Sequence, residues 1–261
     1  MGIYQTISVE HQSSVTTLRL NRPEVRNAFN TQMMLEIAGV ISSVRTPETR
    51  LIIITAHGPD FCSGADLTWM TEAAGNLEEA RKSSSDLFQM YSAIRSSPVP
   101  VVTRVFGRIL AGGVGLCAAS DIVYADPTSV FSISEARVGL IPAVMSPFVV
   151  ERTGLSRFRE LTLTGRVLDA QEAQRIGLAD FVLPPKEREA AFQRSLRDIL
   201  SNGPEALAAV KALCRELSRY DWDTEGQNLV ALIAERRCST EGKEGIRAFL
   251  EKREPVWRTH D

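Results

Sequence analysis

Phe61-Cys62-Ser63-Gly64-Ala65-Asp66-Leu67 and Leu110-Ala111-Gly112-Gly113-Val114-Gly115-Leu116 are the two stretches on which the reading of this chain turns. Each follows an apolar strand and opens toward a helix. Leu51 to Ile54, before the first, is an unbroken apolar run of the kind expected for a strand covered on both faces. Val99 to Phe106 plays the same part before the second. A helix start carries unpaired N–H groups and a positive dipole end, and small residues let a ligand atom come close to those donors. Two such loops converging on one point would offer paired donors to a single oxygen. On the glycines alone, two tight strand-to-helix turns remain the simpler explanation, because a lone glycine-rich loop is weak evidence. A nucleotide loop is excluded: G-x-x-x-x-G-K-[ST] is absent and Ala111 to Gly115 lacks the G-x-G-x-x-G spacing.

Outward from these loops the chain alternates. Thr6 to Glu10 and Val15 to Leu20 read as strands. A turn at Asn21-Arg22-Pro23 follows, and Thr31 is expected to cap a helix carrying Met34, Leu35, Ile37, Ala38 and Ile41. Further helices are expected over Leu77 to Ile94 and Val114 to Ala119, and strands at Ile122 to Tyr124 and Val130 to Ile133. Gly107 to Gly113 reads as a loop. From Ser146 onward the pattern turns helical: Asp169 caps Ala170 to Ile176, with helices expected over Lys186 to Leu200, Pro204 to Leu217, about Asp223 to Arg237, and Gly242 to Lys252. Strand, glycine loop, helix, strand describes an α/β chain of successive turns without a strict sequence repeat.

Composition narrows the function classes. The chain has 261 residues, 44% hydrophobic and 24% charged, which is ordinary for a soluble protein able to bury a core. Thirty Lys and Arg against 32 Asp and Glu give a net charge of -2, with no basic excess to suggest a nucleic-acid partner. Cys62, Cys117, Cys214 and Cys238 form no C-x-x-C pair and no zinc-ligand spacing, and read as free thiols in a reducing compartment. Neither a signal peptide nor a run long enough to cross a bilayer is visible, so a cytoplasmic protein is expected.

Gly58 to Leu67 resembles the first oxyanion segment of the enoyl-CoA hydratase/isomerase (crotonase) superfamily, and Gly107 to Gly113 followed by Asp121 to Ala125 resembles its second. Asn21-Arg22-Pro23 with Asn27 to Asn30 is similar to the family's early CoA-side motif. Ser134 to Pro142 is similar to the segment that brings a catalytic glutamate. Leu163 to Gly165, Ala170 to Ala173, Gly177-Leu178 and Ala248 to Arg253 fit later signatures, so the resemblance covers nearly the whole chain in order.

That resemblance implies a crotonase-like α/β spiral of ββα turns over residues 1–200, holding an acyl-CoA site, with a C-terminal helical trimerisation region over 201–261. It implies oxyanion donors at Ala65 and Gly112 and an acid/base at Glu135. Ala28, Ser63, Asp66, Leu67 and Gly113 would contact substrate, and Phe249 and Lys252 would reach a neighbouring subunit's CoA in a homotrimer or dimer of trimers. Coenzyme A is then part of the substrate; no metal or redox cofactor, nucleic acid or membrane is implied. One departure stands out: where the best-known hydratases carry a second glutamate, this chain has Gly115. Finer similarity at Gly64 to Met70, Ser134 to Ala143, Ser146 to Val150 and Glu254 to Trp257 is to bacterial methylglutaconyl-CoA and isohexenylglutaconyl-CoA hydratases. Their substrates bear a second carboxylate, for which Arg137, Arg108 and the Arg81-Lys82 pair are candidates, although a solvated surface cation is the simpler reading of each. A Δ3,Δ2-enoyl-CoA isomerase using Glu135 alone, and a catalytically silent scaffold, are the alternatives. Asp121 reads as a backbone-bonding residue, His57 as a loop residue, and Trp69, Met70, Leu87, Phe88 and Tyr91 as helix packing or acyl-pocket lining.

Overall fold

The structure is a computed structural model that describes residues 4–66, 69–70, 76–217 and 231–258. Nine strands are present among these residues: β1 (Ile7–Gln12), β2 (Val15–Leu20), β3 (Leu51–Ala56), β4 (Val101–Val105), β5 (Arg108–Leu110), β6 (Ile122–Ala125), β7 (Val130–Ser132), β8 (Leu168–Asp169) and β9 (Phe181–Val182). The larger sheet has the order β1-β2-β3-β4-β6-β9 and the smaller β5-β7-β8. Only the β1–β2 hairpin and the β7–β8 pair are antiparallel. The helices are α1 (Thr31–Ser43), α2 (Leu77–Ser96), α3 (Gly112–Ala119), α4 (Ser146–Thr164), α5 (Ala170–Arg175), α6 (Pro185–Ser201), α7 (Pro204–Leu217) and α8 (Thr240–Leu250). Residues 231–238 are also helical.

The spiral emerges from how short pieces pair. Isolated parallel bridges join Phe29 to Ala65 and Cys62 to Ile109, in line with β5. Each turn of chain therefore runs a strand through the large sheet, a short extended piece through a second layer, and then a helix. β3, residues 62–65 and α2 make one such turn, and β4, β5 and α3 the next. β6, β7 and α4 make a third, with a 3-10 turn at Glu135–Val138 between strand and helix. This is the expected crotonase-like spiral, and it needs no repeated sequence because only the hydrogen-bonding pattern recurs.

Both faces of the large sheet are covered, as the unbroken run at Leu51 to Ile54 predicts. Ile52, Ile54, Val101, Val105 and Val123 pack with Met33, Met34, Ile37 and Ile41 of α1 and Met90, Tyr91 and Ile94 of α2. Leu51, Val102 and Tyr124 pack instead with Phe192 and Leu196 of α6. Alternate residues of one strand thus feed two cores. Each fully buried side chain of this size stabilises the fold by roughly 1.5–3 kcal/mol.

Helix starts are set by local chemistry. Asn76 accepts from the amides of Glu78 and Glu79, and Asp169 from that of Glu172. The cap of α1 is Asn30, which accepts from Met33 N at 2.9 Å, one residue before the expected Thr31. Two larger corrections concern strands. The stretch expected as a loop at 107–113 contains β5, and α3 begins at Gly112 rather than Val114. The segment after Ser146 is not all helical: β8 joins the small sheet and β9 closes the edge of the large one. The residues after 200 are tied to the core rather than hung from it. Arg50 donates to Asn202 O and Trp257 O, both at 2.6 Å, and the buried Lys211 pairs with Asp121. The expected helix over 223–237 lies partly outside the described residues.

Candidate functional site

The two quoted loops meet. Leu110 N donates to Cys62 O at 2.9 Å and Cys62 N to Arg108 O at 3.1 Å, which zips the first loop onto β5. Gly64 has φ +94, and a methyl group on it would lie 2.8 Å from Ala111 Cβ, 3.2 Å from Leu110 O and 3.4 Å from Gly112 N. Glycine here lets the chains touch. The Ala65 nitrogen, one peptide bond from Gly64, therefore lies beside the Gly112 nitrogen.

Neither amide is used internally. Ala65 pairs with Phe29 through its neighbours, Phe29 N to Gly64 O and Asp66 N to Phe29 O, both at 2.8 Å, so its own N–H is left over. Gly112 is the first residue of α3, where the helix supplies no acceptor. Among the described residues neither N–H donates to any group. Two such donors side by side, one at a helix N-terminus, suit an oxygen that gains negative charge.

The second loop is held in a costly conformation. Ala111 sits at φ 47, ψ -121, a region that side-chain-bearing residues rarely adopt. Its N–H donates to Ser132 O at 2.8 Å, which fixes the turn against β7. Strain of this kind persists only where the surroundings over-determine it.

Glu135 stands three residues beyond Ser132, at the start of the 3-10 turn. Its Oε2 is buried and has no hydrogen-bond partner among the described residues. Burial raises the carboxyl above its ordinary range, offset in part by its own backbone amide. A partly desolvated carboxyl with one oxygen free holds its proton more readily than an exposed one, which suits it to taking and giving protons. It stands close enough to Tyr91 for its charge to help push that hydroxyl's pKa up, after burial. Tyr91 in turn donates to Gly112 O at 2.7 Å, next to the amide of Gly112. The sequence offers Tyr91 only as packing or pocket lining. Its partner lies 21 positions away, beyond any local pattern.

The remaining expected contacts divide. Gly113 packs so tightly that a methyl there would lie 2.8 Å from Cys62 O. Ala28 is buried, and its carbonyl accepts from Arg22 Nη1 at 2.7 Å. Arg22 also pairs with Asp66 at 3.0 Å, and Ser63 N donates to Arg26 O at 3.0 Å. These residues form the rim where the first loop meets the Asn21 to Asn30 segment. Leu67 lies outside the described residues. Phe249 is 83% exposed on α8, which packs beside α7, and Lys252 follows it in the exposed tail. A single chain does not bring either to the Ala65–Gly112 pair.

Of the cations weighed for a second carboxylate, Arg108 is committed to the buried Asp60 through two side-chain bonds of 2.9 and 3.0 Å. Arg81 pairs with Glu78 and Lys82 with Asp86. Arg137 has no ion-pair partner among the described residues and lies along Gly165, where a methyl would meet its Nε at 3.1 Å. Asp121 accepts from Val101 N at 2.7 Å, the backbone role expected of it. His57 is a loop residue bonded to Ser8. Burial pushes the Cys62 thiol up to about 12, so it is a packed neutral group beside the loop rather than a thiolate.

A cleft of about 740 Å³ opens elsewhere, between the large sheet and α6. Three of its arginines, Arg19, Arg104 and Arg188, are paired with Glu10, Glu189 and Asp126, and it shares no residue with the Ala65–Gly112 pair or Glu135. No group of three or more His, Cys, Asp or Glu among the described residues is arranged to hold a metal ion. Nor is any of their helices long and apolar enough to cross a membrane.

This arrangement has counterparts. The mitochondrial enoyl-CoA hydratase domain-containing protein 3 of Mus musculus is 32% identical over 258 residues, covering 96% of this chain and 83% of that protein. Among solved structures, an enoyl-CoA hydratase from Shewanella pealeana superposes with a TM-score of 0.92 at 33% identity, covering 97% of this chain and 96% of its own. Pseudomonas aeruginosa AtuE superposes with a TM-score of 0.93 at 32% identity, covering 98% of this chain and 100% of its own. Residues 10–260 match the enoyl-CoA hydratase/isomerase family as a whole. With paired free amides, a desolvated carboxyl and a match of that extent, the chain belongs to the enoyl-CoA hydratase/isomerase family.

Proposed function

We propose that this protein adds water reversibly across the α,β double bond of an enoyl-CoA thioester. The observation that supports this reading is that Glu135 Oε2 is buried without a hydrogen-bond partner and that, among the described residues, the Ala65 and Gly112 amides donate to no group. The N–H groups of Ala65 and Gly112 receive the thioester oxygen. Water oxygen bonds to the β carbon while Glu135 takes one of its protons. The electron pair of the double bond moves onto the thioester oxygen as an enolate, where the two donors meet the charge as it develops. The enolate then collapses, and Glu135 returns the proton to the α carbon. One carboxylate balances the reaction, so Gly115 in place of a second is no obstacle. The rim residues Ala28, Ser63 and Asp66, with Leu67 next in sequence, are assigned to the CoA path.

The acyl group we favour is a branched glutaconyl type, methylglutaconyl or isohexenylglutaconyl. Among the candidate cations, the absence of an acidic partner at Arg137 favours it for the distal carboxylate. Turnover of a glutaconyl-type enoyl-CoA and of its analogue lacking the second carboxylate tests this. At least a tenfold preference for the diacid, lost in Arg137→Met, supports it (a charge-assisted hydrogen bond is worth roughly 1.5–3 kcal/mol). Equal turnover in both proteins refutes it. The exposed Phe249, Leu250, Ile246 and Val256 suit burial against other subunits, and we assign a trimer or a dimer of trimers. Sedimentation of the full chain as a monomer at micromolar concentration would contradict that.

A second reading, Δ3,Δ2-enoyl-CoA isomerisation, is favoured by the single carboxylate. Incubation with a 2-enoyl-CoA and a 3-enoyl-CoA separates the two. A hydratase bleaches the ultraviolet absorbance of the conjugated thioester. An isomerase creates it from the 3-enoyl substrate without consuming the 2-enoyl one.

A further inference from the structure

The space around Gly115 is filled by another residue. A methyl group on Gly115 would lie 2.5 Å from Tyr91 Cζ, 2.6 Å from its hydroxyl oxygen and 2.9 Å from Met145 Cβ. Tyr91 is fully buried on α2, and Phe148 closes on its ring edge-on at 5.6 Å between centroids. A longer side chain at position 115 would have to displace the ring from this packing.

The hydroxyl has a specific use. A buried tyrosine O–H needs an acceptor, and this one donates not to its own helix but to Gly112 O at 2.7 Å, in the first turn of α3. Gly112 is thereby bracketed: the peptide before it accepts at Ala111 O from Val114 N at 2.8 Å, and the peptide after it accepts at Gly112 O from the Tyr91 hydroxyl. A methyl on Gly112 would meet the Tyr91 hydroxyl and Phe29 Cε2, both at 3.1 Å, so the residue is also clamped sterically. The strained Ala111 immediately before it would relax if that clamp were released.

We propose that Tyr91 is a positioning residue for the thioester site: its hydroxyl holds the Gly112 amide toward the substrate oxygen, and its ring confines the chemistry to the single carboxylate of Glu135. This rests on the hydration reading above. Burial, together with the charge of Glu135, keeps the phenol protonated, so it acts as a fixed donor and not as a proton carrier.

Tyr91→Phe keeps the ring and removes the donor. On an enoyl-CoA that the wild type turns over, kcat is expected to fall roughly five- to tenfold, the value of one ordinary hydrogen bond. KM should stay within about twofold, and the acid limb of the pH profile should not move, because Glu135 sets it. A second readout needs no turnover. The thioester carbonyl stretch of bound butyryl-CoA, followed by infrared difference spectroscopy, should be lowered on binding to the wild type and lowered less in the variant. Wild-type kcat with an unchanged carbonyl stretch, or a change in KM alone, overturns the proposal. A wild type that leaves the stretch at its free value refutes instead the paired-amide site. Gly115→Ala gives an independent check: melting temperature and kcat should both fall. In Gly115→Ala/Tyr91→Leu the melting temperature should recover while kcat does not. Full activity in Gly115→Ala would overturn the assignment of that space to the ring.

Discussion

Replacing Gly64 by alanine perturbs the contact on which the site depends. At φ +94 the new side chain adopts a conformation that costs a non-glycine residue roughly 1–2 kcal/mol. The added methyl lands 2.8 Å from Ala111 Cβ and 3.2 Å from Leu110 O. Relieving overpacking of that kind costs roughly a further 1–3 kcal/mol. The expected loss is therefore about 2–5 kcal/mol, a fall in melting temperature of about 5–15 °C for a chain of this size. The clash lies between the two loops, so the chain relieves it by moving them apart. That carries the Ala65 and Gly112 amides out of register with a common oxygen. Loss of one such donor lowers the rate by about a hundred- to a thousandfold. The assay is loss of the conjugated-thioester absorbance under saturating 2-enoyl-CoA, with melting followed by circular dichroism. Gly39→Ala is the control, because a methyl there meets nothing within 4 Å. It lies inside α1 and should leave activity intact while stabilising by about 0.5–1 kcal/mol. A Gly64→Ala protein with wild-type kcat would refute the claim that the loops must touch for catalysis.

Glu135→Gln should lower kcat by about a hundred- to ten-thousandfold, the usual worth of a positioned acid/base. Because the folded carboxyl is raised, the folded protein holds its proton more tightly than the unfolded chain. That stabilisation is present below the ordinary glutamate range, about 4.3, and is lost as pH rises through the folded value. Melting temperature relative to Glu135→Gln should accordingly decline from pH 4 toward pH 7; a constant difference would contradict the burial argument. Lys211→Met removes the cation that pairs with Asp121 in the core-to-tail junction. It should destabilise by roughly 1–3 kcal/mol, since the half-buried Asp121 loses its charged partner and keeps the Val101 amide, and a change within 0.5 kcal/mol in urea titration (about the surface-mutation range) would show the pair to be peripheral.

Much of this was legible from the chain alone where the signal is local. Leu51 to Ile54 announces a doubly covered strand because four apolar residues in a row cannot face water. Asp169 announces a helix start because its side chain bonds an amide three positions on. The α7 limits, Pro204 and Leu217, follow from a proline at the first turn and an amphipathic run. Three strands escaped notice for a physical reason: β5, β8 and β9 span three, two and two residues, too few to show a period of two. Their existence depends on partners elsewhere in the spiral. Within the site, the two loops and Glu135 carry recognisable sequence, whereas Tyr91 does not. Its significance comes from Gly112 and Gly115, brought to it by the packing of α2 on α3. Arg108 shows the converse, since it is a candidate for a substrate carboxylate in sequence and yet is held by Asp60, 48 positions away.

The most direct measurement is a crystal structure of the full chain with a saturated acyl-CoA bound. The thioester oxygen should lie about 2.7–3.1 Å from the nitrogens of both Ala65 and Gly112, with the Glu135 carboxyl facing the α and β carbons. A thioester oxygen bound to water or to other donors, with those two amides left empty, would contradict the account.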